Sequence, residues 1–364
     1  MMTECRKMKK IYFLLPGLGF GGAERVIFTL CNNLDRSKFE PTLVIFNKEG
    51  VPVEFLKSDV IVIDLKISRI RYAIFSVVKL IRKDKPDIVF GGWGEVSAFL
   101  SPLVPFFKKT KFVARETNVV SAHVTRKEIQ FFYRFYNNFH KIIAQSNDMR
   151  NDLIENWKIQ AHKIVKINNP VDVKEIQSQM KSDEILYSNE FKNVISIGNL
   201  TYRKGFDLLL NVFEKLKDEP IKLYILGEGA DREKLMAQKE ELGLENVEFL
   251  GNKKNPFPYL NQANLFILSS RYEGFPNVLL EAGACGTYAL VNDCPGGIDE
   301  IIQESLNGEI CSIDEVEKFA EKIKILVGIN FDEASIQESI ASRFSKERIV
   351  HKYEEVLSDL NEMQ

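Results

Sequence analysis

The sequence predicts an α/β chain of two consecutive doubly wound units, each a parallel sheet with helices on both faces. Three observations carry this. Short, β-branched apolar runs recur without polar alternation, as in strands buried on both faces. Amphipathic segments at helical spacing lie between several of them, as parallel crossovers require. The pattern restarts once, in a chain of 364 residues, and a single core rarely grows past roughly 250–300 residues.

The first run, "KIYFLLP", is continuous and apolar. Glycines follow, then "AERVIFTLCNNL", apolar at Val26, Ile27, Leu30 and Leu34, which is helical spacing. "PTLVIF", "VIVIDL", "PDIVFGG", "TKFVAR" and "KIIAQS" read as further strands. After "KIVKINNPVD" a second set begins: "NVISIGN", "IKLYILGEG", "VEFLG", "NLFILSS" and "YALVND". The last stretch, "SKERIVHKYEEVLSDL", is an amphipathic helix. The expected domains are residues 1–170 and 171–345, with the closing helix, about 346–364, packing back on the first.

Hydrophobic content of 45% and charged content of 27% suit a globular enzyme. No apolar stretch reaches the roughly 20 residues of a membrane span. The basic start, "MMTECRKMKK", lacks a cleavage site and leads into a strand rather than a signal peptide. Five scattered cysteines form no metal-ligand spacing and predict reduced thiols. Residues 1–170 hold 28 Lys and Arg against 16 Asp and Glu, a net of +12, whereas the remainder is −14. A basic half favours an anionic surface.

Gly17, Gly19 and Gly22 match the G-x-G-x-x-G spacing of a dinucleotide turn. A nicotinamide dinucleotide (NAD) site also needs an acidic residue closing the second strand. That strand ends at Phe46-Asn47, and Glu49 lies in the turn beyond. Three readings stay open: a dinucleotide site, a tight packing turn, or a loop facing a ligand held mainly by the other domain.

The second half carries more chemistry. "SSRYEGFPNVLLEAGACG" leaves the carboxyl end of a strand, where open α/β sheets place ligands. Glu273 and Glu281 bracket Gly274, Phe275, Pro276, Asn277 and Val278; Pro276 suits a first helical turn, with Glu281 about one turn further in. A helix N-terminus offers N–H donors to a diphosphate, and a carboxylate accepts both hydroxyls of a ribose diol. Upstream, Gly198 and Asn199 close a strand, and Arg203 and Lys204 precede Gly205 and a helix. Such cations can neutralise a leaving diphosphate. Gly227 and Glu228 form a turn at another strand end of the same sheet.

On "GFGGAERV", "IGNLTYRKGFDLLL", "LYILGEG", "VEFLG" and "EGFPNVLLEAGACG", the chain resembles the family 4 glycosyltransferases, whose GT-B fold sets two Rossmann-like domains facing a central cleft. Within the family it is most similar to bacterial enzymes extending lipid-linked oligosaccharides, including N-acetylgalactosaminyl and other hexosyl transferases. The resemblance implies a retaining hexosyltransferase that uses a nucleotide-diphosphate sugar as co-substrate. It also implies roles for particular residues. Arg203 and Lys204 hold the donor diphosphate, Glu273 contacts the donor sugar, and Glu281 binds the ribose. Gly274, Phe275, Pro276, Asn277 and Val278 border the sugar and phosphates, and Gly21 and Gly22 leave room for the donor. The sequence contains no D-x-D, so no metal ligand and no cofactor are assigned. Many relatives carry a histidine where this chain has Glu116-Thr117-Asn118; Glu116, Asn118 and the nearby His123 are the candidates there.

The expected donor is a UDP-sugar, UDP-GalNAc or UDP-GlcNAc. The expected acceptor is a polyprenyl-diphosphate-linked saccharide or similar surface-polysaccharide precursor, such as one for lipopolysaccharide or O-antigen. "KISRIRYAIFSVVKLIRKDK" reads, as a helix, either as a basic amphipathic face suited to an anionic membrane surface or a lipid diphosphate, or as a core-packing helix with a solvated basic face. The expected location is therefore cytoplasmic, peripheral at the inner face of the plasma membrane. No nucleic-acid recognition motif accompanies the charge. A GDP-sugar transferase, a UDP-sugar epimerase, a non-catalytic adaptor and an NAD dehydrogenase are the competing readings.

Overall fold

The computed structural model describes residues 8–17, 19 and 21–360. They form two compact units, one holding the residues up to Pro170 together with those from Lys346, the other Val171–Ser345.

The first unit contains β1 (Lys9–Leu15), β2 (Phe39–Ile45), β3 (Ile61–Asp64), β4 (Ile88–Gly91), β5 (Lys111–Arg115), β6 (Lys141–Ala144) and β7 (Ile164–Lys166). They form one sheet in the order β3-β2-β1-β4-β5-β6-β7, and every neighbouring pair is parallel. Side chains alternate between the faces. Ile11, Phe13 and Leu15 pack under the helix Gly22–Asn33 and the closing helix Lys346–Asp359. Tyr12 and Leu14 pack with Ile70, Ala73, Ile74 and Val77 of the helix Ile70–Asp84 on the other face. Both faces are buried, which is why these strands read as unbroken apolar runs. The Lys9 ammonium donates to the carbonyls of Leu357 and Ser358 at 3.0 and 2.7 Å, capping the closing helix with a cation.

The second unit contains β8 (Lys192–Ile197), β9 (Ile221–Leu226), β10 (Val247–Gly251), β11 (Leu265–Leu268), β12 (Ala289–Asn292) and β13 (Gly308–Cys311). This sheet runs β10-β9-β8-β11-β12-β13, again parallel throughout. In each sheet the strand order reverses beside its first strand: between β1 and β4, and between β8 and β11. Loops leaving the carboxyl ends of such a strand pair diverge to opposite faces and leave a crevice for a ligand. Cys31, Cys285, Cys294 and Cys311 are buried and outside any disulfide; Cys5 lies outside the described residues.

Candidate active site

The reversal point of the second sheet brings two segments together. β8 leads through Gly198 and Asn199 into the 3-10 turn Tyr202–Lys204, and β11 leads into Ser269–Glu273. Gly205 closes the turn at φ +64°, and a Cβ there would stand 2.0 Å from the Ser269 carbonyl oxygen. Only glycine permits so close an approach in a left-handed conformation.

The turn points its cations at one carboxylate. Arg203 Nη1 lies 2.7 Å from Glu273 Oε2, Lys204 Nζ lies 2.5 Å from Oε1, and the Ser270 hydroxyl donates to Oε1 at 2.6 Å. Glu273 is buried, and burial alone would raise its pKa. Lys204 and Arg203 outweigh that and hold the carboxyl below its usual range. Both carboxylate oxygens thus carry a contact to a cation, and Glu273 orients Arg203 and Lys204. The triad keeps one net positive charge at a strand-end crevice, and Arg203 retains further N–H donors beyond the one bound to Glu273.

Gly274, Phe275 and Pro276 are buried immediately after Glu273. The next helix is Asn277–Ala284, with Pro276 as its N-cap, one position earlier than the first-turn place expected from sequence. Phe275 packs edge-on against Phe344 at 5.6 Å, which anchors the loop. Asn277 and Val278 open this helix, and helix N-termini favour anions. Glu281 is half-buried, one turn in. The Gly227-Glu228 turn joins the Gly198-Asn199 segment through the Leu200 N–H, which donates to the Glu228 carbonyl at 2.9 Å. The Glu228 carboxylate itself faces Arg232 at 3.2 Å.

The first unit distributes its candidates differently. Gly21 and Gly22 are exposed where the helix Gly22–Asn33 begins, and Gly21 N–H donates to the buried Glu24 carboxylate at 3.1 Å. Gly17 has φ +77°, and a Cβ there would meet the Asn47 carbonyl oxygen at 1.7 Å, so this glycine serves the tight packing of the turn. Asn118 is half-buried and His123 is exposed at the end of the short helix Val120–His123. Glu116 lies in the interior. It is 2% exposed, with Tyr133 and Tyr136 donating their hydroxyls to its two oxygens at 3.1 and 2.5 Å. Burial and the two tyrosine hydroxyls make Glu116 an interior acid.

Sequence reasoning gave no role to Ser270 or to Arg115. Arg115 ends β5 fully buried, bonded through Nη2 to Asn169 Oδ1 at 2.8 Å. A lone Arg at a strand end carries no signal of such burial.

The profile of Glycosyltransferase Family 4 matches residues 20–175, and that of Glycosyl transferases group 1 matches residues 178–339. The N-acetylgalactosamine-N,N'-diacetylbacillosaminyl-diphospho-undecaprenol 4-alpha-N-acetylgalactosaminyltransferase of Campylobacter jejuni is 27% identical over 336 residues, covering 88% of this chain and 90% of the relative. The amylovoran biosynthesis glycosyltransferase AmsD of Erwinia amylovora is 24% identical, covering 96% of this chain and 100% of the relative. Among solved structures, a glycosyltransferase from Rickettsia africae superposes with a TM-score of 0.82 at 19% identity, over 98% of this chain and 100% of that one. Anabaena HepE in complex with UDP-glucose superposes at 0.78 and 18% identity, over 96% and 100%. With consecutive glycosyltransferase profiles spanning most of its length, on two parallel-sheet domains of the architecture those structures share, the chain belongs to the family 4 glycosyltransferases and has the GT-B fold.

Proposed function

We propose that the enzyme moves a sugar, GalNAc or GlcNAc, from its UDP-sugar to a polyprenyl-diphosphate-linked glycan, with retention of anomeric configuration. The observation that carries the donor half is the pairing of Arg203 and Lys204 on Glu273 at the reversal point of the second sheet. Transfer breaks the bond from the anomeric carbon to a diphosphate oxygen, and negative charge gathers on that oxygen. Preorganised cations aimed at such charge are usually the largest catalytic contribution. Arg203 and Lys204 supply them here, and no metal is required in this reading. The departing phosphate takes the acceptor proton as the new bond forms on the same face of the sugar. Glu281 holds the ribose diol, and the N-terminus of Asn277–Ala284 borders the sugar and phosphates. UDP as the nucleotide is supported by the bound ligand of HepE, and the lipid-linked acceptor by the name of the Campylobacter relative.

A lipid-linked acceptor calls for a membrane surface. Among the described residues no helix is long and apolar enough to cross one. The helix Ile70–Asp84 buries Ile70, Ala73, Ile74, Val77 and Ile81, leaving Tyr72 and Phe75 exposed among Arg71, Lys79, Arg82 and Lys83. This basic face with aromatic members suits the anionic inner leaflet.

The test is turnover of UDP-GalNAc and UDP-GlcNAc with a lipid-linked acceptor. Arg203→Ala and Glu281→Ala should each lower it, Arg203→Ala by roughly 10²- to 10³-fold, the usual loss for one preorganised charge-stabilising donor. Unchanged turnover in both variants defeats the assignment. A thermal-shift screen across UDP- and GDP-sugars identifies the donor, because a ligand at 100 times its Kd adds about 2.7 kcal/mol.

A further inference from the structure

The turn that carries Arg203 and Lys204 is gripped from one neighbouring segment, carbonyl by carbonyl. Arg271 Nη1 donates to the Tyr202 carbonyl at 2.7 Å, the Arg271 backbone N–H donates to the Arg203 carbonyl at 2.8 Å, and the Ser269 hydroxyl donates to the Lys204 carbonyl at 2.9 Å. Two of these three contacts come from Arg271. Its guanidinium also holds Asp207 with both arms, Nη1 to Oδ1 at 2.8 Å and Nη2 to Oδ2 at 2.6 Å. It lies 3.9 Å from the centre of the Tyr202 ring as well. Tyr202 begins the turn, and Asp207 stands in the first helical turn after it, in Phe206–Glu214. One planar side chain therefore clamps the segment at both ends.

We propose that Arg271 is a positioning residue for transfer: it fixes the Tyr202–Lys204 turn so that the two cations meet the departing diphosphate. This deepens the donor-site reading above and rests on it. Adjacent cations repel, and both have long side chains with many rotamers, so the backbone beneath them must be fixed for their charges to be preorganised. Arg271 itself directs its donors inward, to Tyr202 and Asp207, and its charge is balanced by Asp207. It acts through its neighbours rather than on the ligand. Lysine could keep the charge beside Asp207 but lacks the planar fork and the stacking surface.

The experiment is a double-mutant cycle between Arg271→Ala and Lys204→Ala in the full chain. It reads turnover and affinity for UDP, or for GDP if the wild-type protein binds that instead, with thermal unfolding alongside. Arg271→Ala alone should lose roughly 10- to 100-fold in turnover, the scale of a misplaced catalytic group. In the Lys204→Ala background the same change should cost more than about twofold less than in the wild type, because one of the two cations through which it acts is already gone. Losses that multiply within about twofold, as independent sites do, make Arg271 a general fold contact and overturn the proposal. Near wild-type behaviour of Arg271→Ala beside a collapsed Lys204→Ala overturns it too, leaving the donor-site reading intact. If Lys204→Ala and Arg203→Ala both turn over normally, the donor-site reading itself fails. Should Arg271→Ala not fold, Arg271→Lys carries the cycle with the same criteria.

Discussion

Glu116 is a carboxylic acid sealed against two tyrosine hydroxyls, and burial pushes its pKa up to about 7 against the opposing pull of those hydrogen bonds. The folded chain then holds this proton more tightly than the unfolded one. Both states are protonated in strong acid, so Glu116 adds no pH dependence there. As pH rises from about 4.5 towards 7 the unfolded state ionises first, and stability falls over that window before levelling. The loss is of order 3 kcal/mol. Chemical denaturation across pH 4–8 should show it in the wild type, and Glu116→Gln should flatten it; an unchanged slope removes this account. Glu273 has the opposite sign. Its cations hold it ionised in the folded state, so its contribution is present near neutrality and fades only in acid.

In Ile70–Asp84 the buried and exposed stripes follow the 3.6-residue period, which is why a helix was readable from apolar spacing alone. The period did not say that Ile74 faces the core and Phe75, 70% exposed, faces solvent. Replacing Lys79, Arg82 and Lys83 with Ser should weaken binding to phosphatidylserine vesicles by about 1 kcal/mol for each charge that reaches the surface. Sedimentation with vesicles measures this, and equal binding of variant and wild type removes the helix from the membrane face. The strand-end loops were readable for a different reason. Glycines, paired cations and paired acids at strand ends are unusual in sequence. The hydrogen bonds that join one loop to the other were not readable, since Ser270 and Arg271 differ in no periodic way from surface residues.

At the scale of the molecule, both sheets were legible because covered strands must be apolar on both faces. The exceptions are the edge strands β7 and β13. β7 has three residues, two of them half-buried, and ends on Lys166; β13 is Gly308–Cys311, with a glycine and the half-buried Glu309. The opposite edges, β3 and β10, were legible in "VIVIDL" and "VEFLG", whereas β7 and β13 carry too little apolar sequence to leave such a trace. The closing helix also belongs to the first unit, where Tyr353 is fully buried 6.1 Å from Phe90. Tyr353→Ala should destabilise that unit by about 3–5 kcal/mol, as large aromatic truncations do. In a two-transition melt only one step should move. The chain thus leaves the first unit once and returns once, and the two crossing points are neighbours: the Val171 N–H donates to the Phe344 carbonyl at 2.9 Å, and Val171 bridges Ser345. Val171–Ser345 is consequently a cassette with adjoining ends, open to exchange between related enzymes by two splices without rerouting the host chain.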